Sequence, residues 1–530
     1  MSRKYSSSKG NHNFAMVPDA NIKRSVFDRS HGLKTTFDAS RLIPVYVDEA
    51  LPGDTFKMSM TAFARIATPI KPVMDNIILE SFFFAVPNRL LWDNWERFCG
   101  YQTSPGDSTD FTIPVVEGDD SNPLITTGSL ADYFGLPYDL TYTNTGISAL
   151  PFRAYRLIWN EWFRDQNLVD PRPVPTNDGP DIIDTSFVPE RRGKRKDYFT
   201  GALPFPQKGP AVDIPIGTTA PIVSTGAFPL FTNDAGASET VFSSGTGGFN
   251  FTVVHSSPNE GAGFAFGTET GLQVDLTTQA ATINSLREAF QTQRLLERDA
   301  RGGTRYTEII RAHFNVVSPD SRLQRPEYLG GGRSYVNFQS VPQTAPTDAA
   351  STAQANLAAY GTIAAMNHGF SQSFTEHMTI IGMICVRADL TYQQGINRMW
   401  LRSTRFDFFW PALAHLGEQE ILSKEIYADG SPNDDNIFGY QERYAEYRYK
   451  PSMITGLFRS TVPQPLDIWH LAQEFATRPV LNKAFIEEDV PMTRVKAVTS
   501  EPDFIGDFQF NLRCARPMPV YGVPGYIDHF

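Results

Sequence analysis

Three cysteines in 530 residues (Cys99, Cys385 and Cys514) are too few and too scattered for a disulfide framework or a zinc site. They point instead to folding in a reducing compartment. No apolar stretch approaches the ~18–20 residues needed to cross a bilayer, so membrane insertion is not expected. Met1–Gly10 is polar and basic and lacks the apolar core of a secretory signal. GxxxxGK, GxGxxG, GxSxG, HExxH and CxxC are all missing, and the nine histidines include no i, i+4 pair. Neighbouring acids such as Asp434-Asp435 and Glu487-Glu488-Asp489 read as solvated faces. No catalytic residue, cofactor or metal is expected, and the chain does not read as an enzyme.

A further absence is local. Lys and Arg are missing from residue 209 to 286, while Asp213, Asp234, Glu239, Glu260, Glu269 and Asp275 remain. The net charge of −11 therefore hides an asymmetry, because residues 1–34 hold seven cations against Asp19 and Asp28. Arg3, Lys4, Lys9, Lys23, Arg24 and Arg29 are candidate phosphate contacts, with Tyr5, His12, Phe14 and Phe27 available to stack on bases. A plain soluble tail is the competing reading of that arm. Arg191, Arg192, Lys194, Arg195 and Lys196 crowd five cations into six residues. That run is a weaker phosphate-contact candidate, with a solvated turn as its alternative. Tyr440, Arg443, Tyr444, Tyr447 and Arg448 are candidate subunit contacts, since Tyr and Arg dominate interface hot spots.

What is abundant is turn and aromatic chemistry: 39 Gly, 38 Pro and 39 Phe. This composition predicts short strands joined by long loops. Phe56, Met58 and Met60 alternate with polar residues, as do Phe508, Phe510, Leu512 and Cys514. Ile77–Val86 and Met378–Val386 are near-continuous apolar runs of strands buried on both faces. Helical spacing marks Asn88–Phe98, the stretch after Pro151 (Tyr155, Ile158, Trp162), Ile283–Phe290 extending towards Asp299 and broken at Gly302-Gly303, and Ile468–Phe475 capped by Asp467. Strand signals near 56–86, 334–340, 373–387 and 505–515 lie so far apart that a single sheet containing them requires Greek-key connections. The expected architecture is a mainly β, antiparallel sandwich or barrel with large loop and short-helix insertions. It divides into a basic arm (1–26), a first core part (27–208), a Gly-rich lobe (209–281) and a second core part (282–530).

Several strings carry a more specific signal: FDRSHGLKTTFD (27–38), LPGDTF (51–56), FFFAVPNRLLWDNW (82–95), GGTRYTEII (302–310), RPEYLGG (325–331) and RYAEYR (443–448). TPI (68–70) and MDN (74–76) join them. Together and in order they resemble the major capsid proteins of microviruses, small phages with circular single-stranded DNA, in the gokushovirus branch. The resemblance implies an eight-stranded viral jelly roll assembling with itself into a T=1 icosahedral shell around the genome, formed in bacterial cytoplasm and located in the virion. It implies pilot, internal scaffolding and DNA-binding proteins as partners. The 209–281 lobe would be the variable surface protrusion facing an unidentified host receptor, and the basic arm would face inward. Two other readings stand beside it: a carbohydrate-binding or carbohydrate-cleaving jelly roll, and a nonspecific single-strand-binding protein.

Overall fold

The computed structural model describes residues 23–119, 124–142, 145–184, 187–212, 283–303, 305–316, 324–344 and 356–521, with the backbone of five short strands between 222 and 274. The chain forms two compact units, one comprising Met1–Pro206 and Thr304–Phe530, the other Gln207–Gly303.

The larger unit is built on one curled antiparallel sheet. Its strands are β1 (Ser25–Asp28), β2 (His31–Phe37), β3 (Ile43–Ala50), β4 (Thr55–Ile66), β5 (Ile77–Pro87), β6 (Glu327–Pro342), β7 (Leu357–Ser373), β8 (Met378–Ala388) and β9 (Phe504–Arg516). β1 and β2 both run along β9, pairing with residues 513–516 and 504–510, so they act as one edge strand interrupted at Arg29-Ser30. The order across the sheet is then β1/β2-β9-β4-β7-β6-β5-β8-β3. Counted as eight positions along the chain, this is 1-8-3-6 followed by 5-4-7-2, the interleaving of an eight-stranded jelly roll. The two halves meet at the β6–β7 pair, where Gly331 lies opposite Gly369 and neither has room for a Cβ against the neighbouring backbone. Curling brings the two edges together: His31 stacks on Tyr46 with centroids 5.8 Å apart, and Arg29 Nη1 donates to Asp48 Oδ2 at 2.7 Å.

Alternation explains the interior. Phe56, Met58 and Met60 from β4 and Phe508, Phe510 and Leu512 from β9 point inward, while their sequence neighbours face out. β5 and β8 are covered on both faces. Ile77, Leu79, Phe83 and Ile384 join this first core, whereas Phe84, Val86, Ile381 and Met383 join a second. That second core is closed by helix α1 (Leu150–Ile158), whose Phe152, Tyr155 and Ile158 face it, with Pro151 in the first turn as its spacing predicts.

Two helical expectations are revised. Asn88–Phe98 forms only a 3₁₀ turn (Asn88–Leu90) and one helical turn (Trp95–Phe98). Asp467 starts a 3₁₀ turn of three residues and no helix follows. The backbone N–H groups that would have continued it are taken elsewhere: Leu471 donates to Asp75, Gln473 to the Thr391 carbonyl and Phe475 to Gln394 Oε1. Tertiary partners outbid local periodicity.

The smaller unit pairs Ile222–Ser224 with Leu272–Val274, and Leu230–Thr232 with both Ser238–Thr240 and Ala265–Phe266. Its helix α2 spans Ile283–Gly302.

Candidate subunit and genome surfaces

No group of three or more metal-ligating side chains comes together among the described residues, and no described helix is long and apolar enough to cross a membrane. The chemistry of this chain lies in its charged clusters and exposed faces.

The first cluster surrounds Glu80, on the β5 face that carries Phe82 and Phe84. Four guanidinium groups converge on its buried carboxylate: Arg192, Arg387 at 3.0 Å, and Arg195 and Arg333 at 3.3 Å each. Burial works to raise the Glu80 carboxyl, but Arg192, Arg387 and Arg195 outweigh it and hold it below the ordinary carboxylate range. Arg387 is only 4% exposed, and burial together with Arg192 lowers its pKa to about 10.

This cluster absorbs much of the 191–196 run. Arg192 and Arg195 bind Glu80, and Arg195 also reaches Asp389 at 3.6 Å. Arg191 pairs with Asp489 at 2.7 Å, and Lys196 pairs with Asp165. Lys194 is buried, with its ammonium 4.8 Å from the Phe485 ring centroid. The run is thus a clamp between the sheet and the 486–490 segment. Glu488 N–H donates to the Arg192 carbonyl and Lys194 N–H to that of Ile486.

Glu488 sits inside this joint, 2% exposed, with Arg387, Lys194, Arg192 and Arg195 around it. Burial pushes its carboxyl from an ordinary 4.5 up to about 7, against the pull of those cations. The folded chain therefore keeps this proton between about pH 4.5 and 7, where the unfolded chain has lost it. Its contribution to stability is full below that window and is lost as pH rises through it. The melting temperature of wild type minus that of Glu488→Gln should fall across the window and level off above it; a flat difference would refute the assignment.

A second region is apolar and exposed. Residues 398–416 make three 3₁₀ turns (Arg398–Trp400, Arg405–Asp407, Pro411–Leu413) that present Trp400, Phe406, Phe408, Phe409, Trp410 and Leu416 to solvent. Trp400 is 74% exposed. The loop is nevertheless firmly held. Ser403 and Thr404 N–H donate to Asp407 Oδ2, Trp410 Nε1 donates to the Arg405 carbonyl at 2.8 Å, and Arg398 binds the buried Glu425 at 2.8 Å.

Two of the predicted contact residues, Tyr444 and Tyr447, pack beneath this belt. Tyr444 is buried, packs edge-on against Phe409 at 5.3 Å and donates its hydroxyl to the Phe406 carbonyl. Tyr447 is half exposed, with the Arg402 guanidinium 4.4 Å above its ring. Arg443 lies 5.0 Å from the Tyr444 ring, and Arg448 pairs with Glu442. Tyr440 exchanges both backbone hydrogen bonds with Leu203 at 2.8 Å. Sequence reasoning did not single out the belt itself; FDFFWPAL (406–413) has no strand or helix period to draw attention.

Of the arm candidates, Arg3, Lys4 and Lys9 lie outside the described residues. Lys23 is exposed, Arg24 donates to Thr55 Oγ1 and the Ala515 carbonyl, and Arg29 forms the bidentate pair with Asp48.

Comparison with known proteins places these surfaces in context. The profile of the family described as "Capsid protein (F protein)" matches residues 15–526. Capsid protein VP1 of Bdellovibrio phage phiMH2K is 47% identical over 546 aligned positions, covering 99% of this chain and 100% of the relative. Capsid protein VP1 of Chlamydia phage 1 is 44% identical, and that of Spiroplasma virus 4 is 35% identical, each alignment covering 97% of both chains.

Proposed function

Because the chain belongs to the F capsid protein family, in its gokushovirus branch, and is thus a major capsid protein of small single-stranded DNA phages, we propose that it assembles into a T=1 icosahedral shell enclosing a circular genome. The role is structural, and the protein belongs to the virion. The observation that carries the shell reading is the aromatic belt: six large apolar side chains held rigidly in solvent on a platform of Tyr444 and Tyr447. A protein that worked alone would gain nothing from that surface. Set between copies it supplies the aromatic anchors that subunit contacts use. The carbohydrate-acting alternative draws no support from the three relatives, all of them capsid proteins.

The finer assignments follow from charge. The basic arm, from Arg3 through Arg24, faces the packaged DNA, and the cation-free 209–281 segment faces the medium and engages the host. The 191–196 cations, already paired within the subunit, contribute less to DNA binding. Assembly takes place in the host cytoplasm with pilot, scaffolding and DNA-binding proteins of the same phage. Expression of the chain, alone or with these companions, should give spherical particles tens of nanometres across in negative stain. Deleting residues 1–22 should lower the DNA content of those particles, and replacing 209–281 by a Gly/Ser linker should spare assembly but remove host attachment. A product that stays monomeric under every assembly condition would falsify the shell reading.

A further inference from the structure

The jelly-roll sheet is covered on its outer side over β5 and β8, but β9, β4 and β7 leave that side open. In register along β4 and β9, Lys57 lies opposite Arg513, Ser59 opposite Asn511, Thr61 opposite Gln509, Phe63 opposite Asp507 and Arg65 opposite Ile505. All of these side chains point away from the core, because the alternate pairs from Phe504–Ile66 to Cys514–Phe56 fill it. Across the sheet, Arg65 continues to Thr362 and Asn337.

The cations of this face outnumber its carboxylates. Lys57 and Arg65 have no carboxylate partner among the described residues. Lys57 and Arg513 stand directly opposite each other, an arrangement of like charges that weakens a ladder. Lys34 meets Asp507 only at 3.4 Å in full solvent, and Arg24 joins the same end through Thr55. Against these five cations the face offers Asp507, beside Lys34, and Asp28, which stands opposite Arg513 and also accepts from the Ser30 hydroxyl at 2.6 Å and the Ser30 N–H at 3.0 Å.

Aromatic surface is interleaved with the charge. Phe63 is 56% exposed and Tyr335 is 52% exposed. Phe63, Ile505 and Arg65 line a shallow groove of about 430 Å³ with Lys34, Thr36 and Asp507 at its rim. Cations for phosphates, flat rings for bases and amides (Gln509, Asn511, Asn337) between them are the elements of a surface that holds single strands without reading sequence. The chain enters this face directly from residues 1–22, since Lys23 and Arg24 immediately precede β1. A second copy of the same face is a poor occupant, because its cations would meet cations.

We infer that the open β9–β4–β7 face, continued onto the exposed side of β6, is a binding surface for single-stranded DNA, with Lys57, Arg65 and Arg513 on phosphates and Phe63 and, on β6, Tyr335 stacked on bases. The inference deepens the genome-enclosing reading and rests on it.

The test titrates labelled oligo-dT into the full-length, unassembled chain over a salt series. Lys57→Gln/Arg65→Gln/Arg513→Gln should reduce the slope of log affinity against log salt by about 2, at ~0.7 per lost single-strand phosphate contact. Phe63→Ala/Tyr335→Ala should weaken binding about ten-fold or more with the slope retained. Exchanging Lys for Arg and Arg for Lys at the three cationic positions should restore the slope, and unchanged melting of all variants would show that folding is not the cause. If the glutamine variant keeps the wild-type slope while deletion of 1–22 flattens it, the face is not the site and the genome reading survives. If wild type itself fails to bind at low salt, the genome reading falls first. A glutamine variant that binds normally but no longer forms particles would make the face a contact between copies and overturn the inference.

Discussion

Glu80→Gln is expected to cost about 3–5 kcal/mol of folding stability, the usual penalty for removing one partner of a buried ion pair. The amide fits the same space, so the loss is electrostatic. Arg387 stays locked in the sheet, its Nε already without a partner, and Arg192 remains largely enclosed beneath Phe82 and Phe163. Arg387 cannot reach water without opening the clamp formed by 191–196, and Arg192 has only partial access to it. Urea unfolding of the unassembled chain measures the effect, with Asp507→Asn as the contrast. That second change removes an exposed pair and should stay within about 0.5 kcal/mol. Glu80→Met combined with Arg387→Met should recover part of the loss, because a well-packed apolar pair is often no worse than a buried ionic one. A Glu80→Gln chain within about 1 kcal/mol of wild type would mean that the clamp is hydrated and that Glu80 does not organise it.

The same residue shows where sequence reasoning ends. Ile77–Val86 reads clearly as a strand buried on both faces, and so it is, but the glutamate inside it has partners 112 and 307 residues away. A run of five cations looks like a nucleic-acid loop or a solvated turn when its counter-charge is so remote. Only the three-dimensional pairing reveals that the run neutralises a buried acid. The Asp467 segment fails for a related reason, since its helical periodicity is real but its N–H groups have distant acceptors.

Strand legibility followed amphipathic contrast. β4 and β9 alternate large apolar with polar residues, and β5 and β8 are continuous apolar runs, so all four are evident in the sequence. β7 is the longest strand and carries no such signal, because its LAAYGTIAAMNHGFSQS is rich in Ala and Gly, which have weak β preference. Its pairing between β4 and β6 is imposed by neighbours rather than by its own pattern. β1 and β2 are legible only through the FDRSHGLKTTFD string, which carries resemblance and not periodicity, and β3 falls between that string and LPGDTF with no signal of its own. The Tyr440–Arg448 stretch stands out by its Tyr and Arg content, whereas the belt that its Tyr444 and Tyr447 underlie is visible only as exposed surface. Exposure of an aromatic cannot be read from composition, since the described residues hold both fully buried and well-exposed Phe, Tyr and Trp.

Trp400→Ala/Trp410→Ala/Tyr447→Ala is expected to abolish particle formation while the unassembled subunit melts close to wild type. Each side chain is half or more exposed, so truncation removes little from the subunit's own core. Trp410 gives up a single hydrogen bond to the Arg405 carbonyl, and Tyr447 a stacking contact with Arg402. At an interface the same truncations are far more costly. Aromatic hot spots are worth about 2 kcal/mol or more apiece, and about 1.4 kcal/mol is ten-fold in association. Because a closed shell repeats each contact around every subunit, a loss of that size compounds, and sedimentation should show subunits in place of particles. Salt separates this surface from the DNA-binding face: kosmotropic salt strengthens apolar burial and should partly rescue the belt variant, whereas added salt only weakens phosphate contacts. Wild-type particle yield from the triple variant would place the subunit contacts elsewhere and leave the belt free for a different partner.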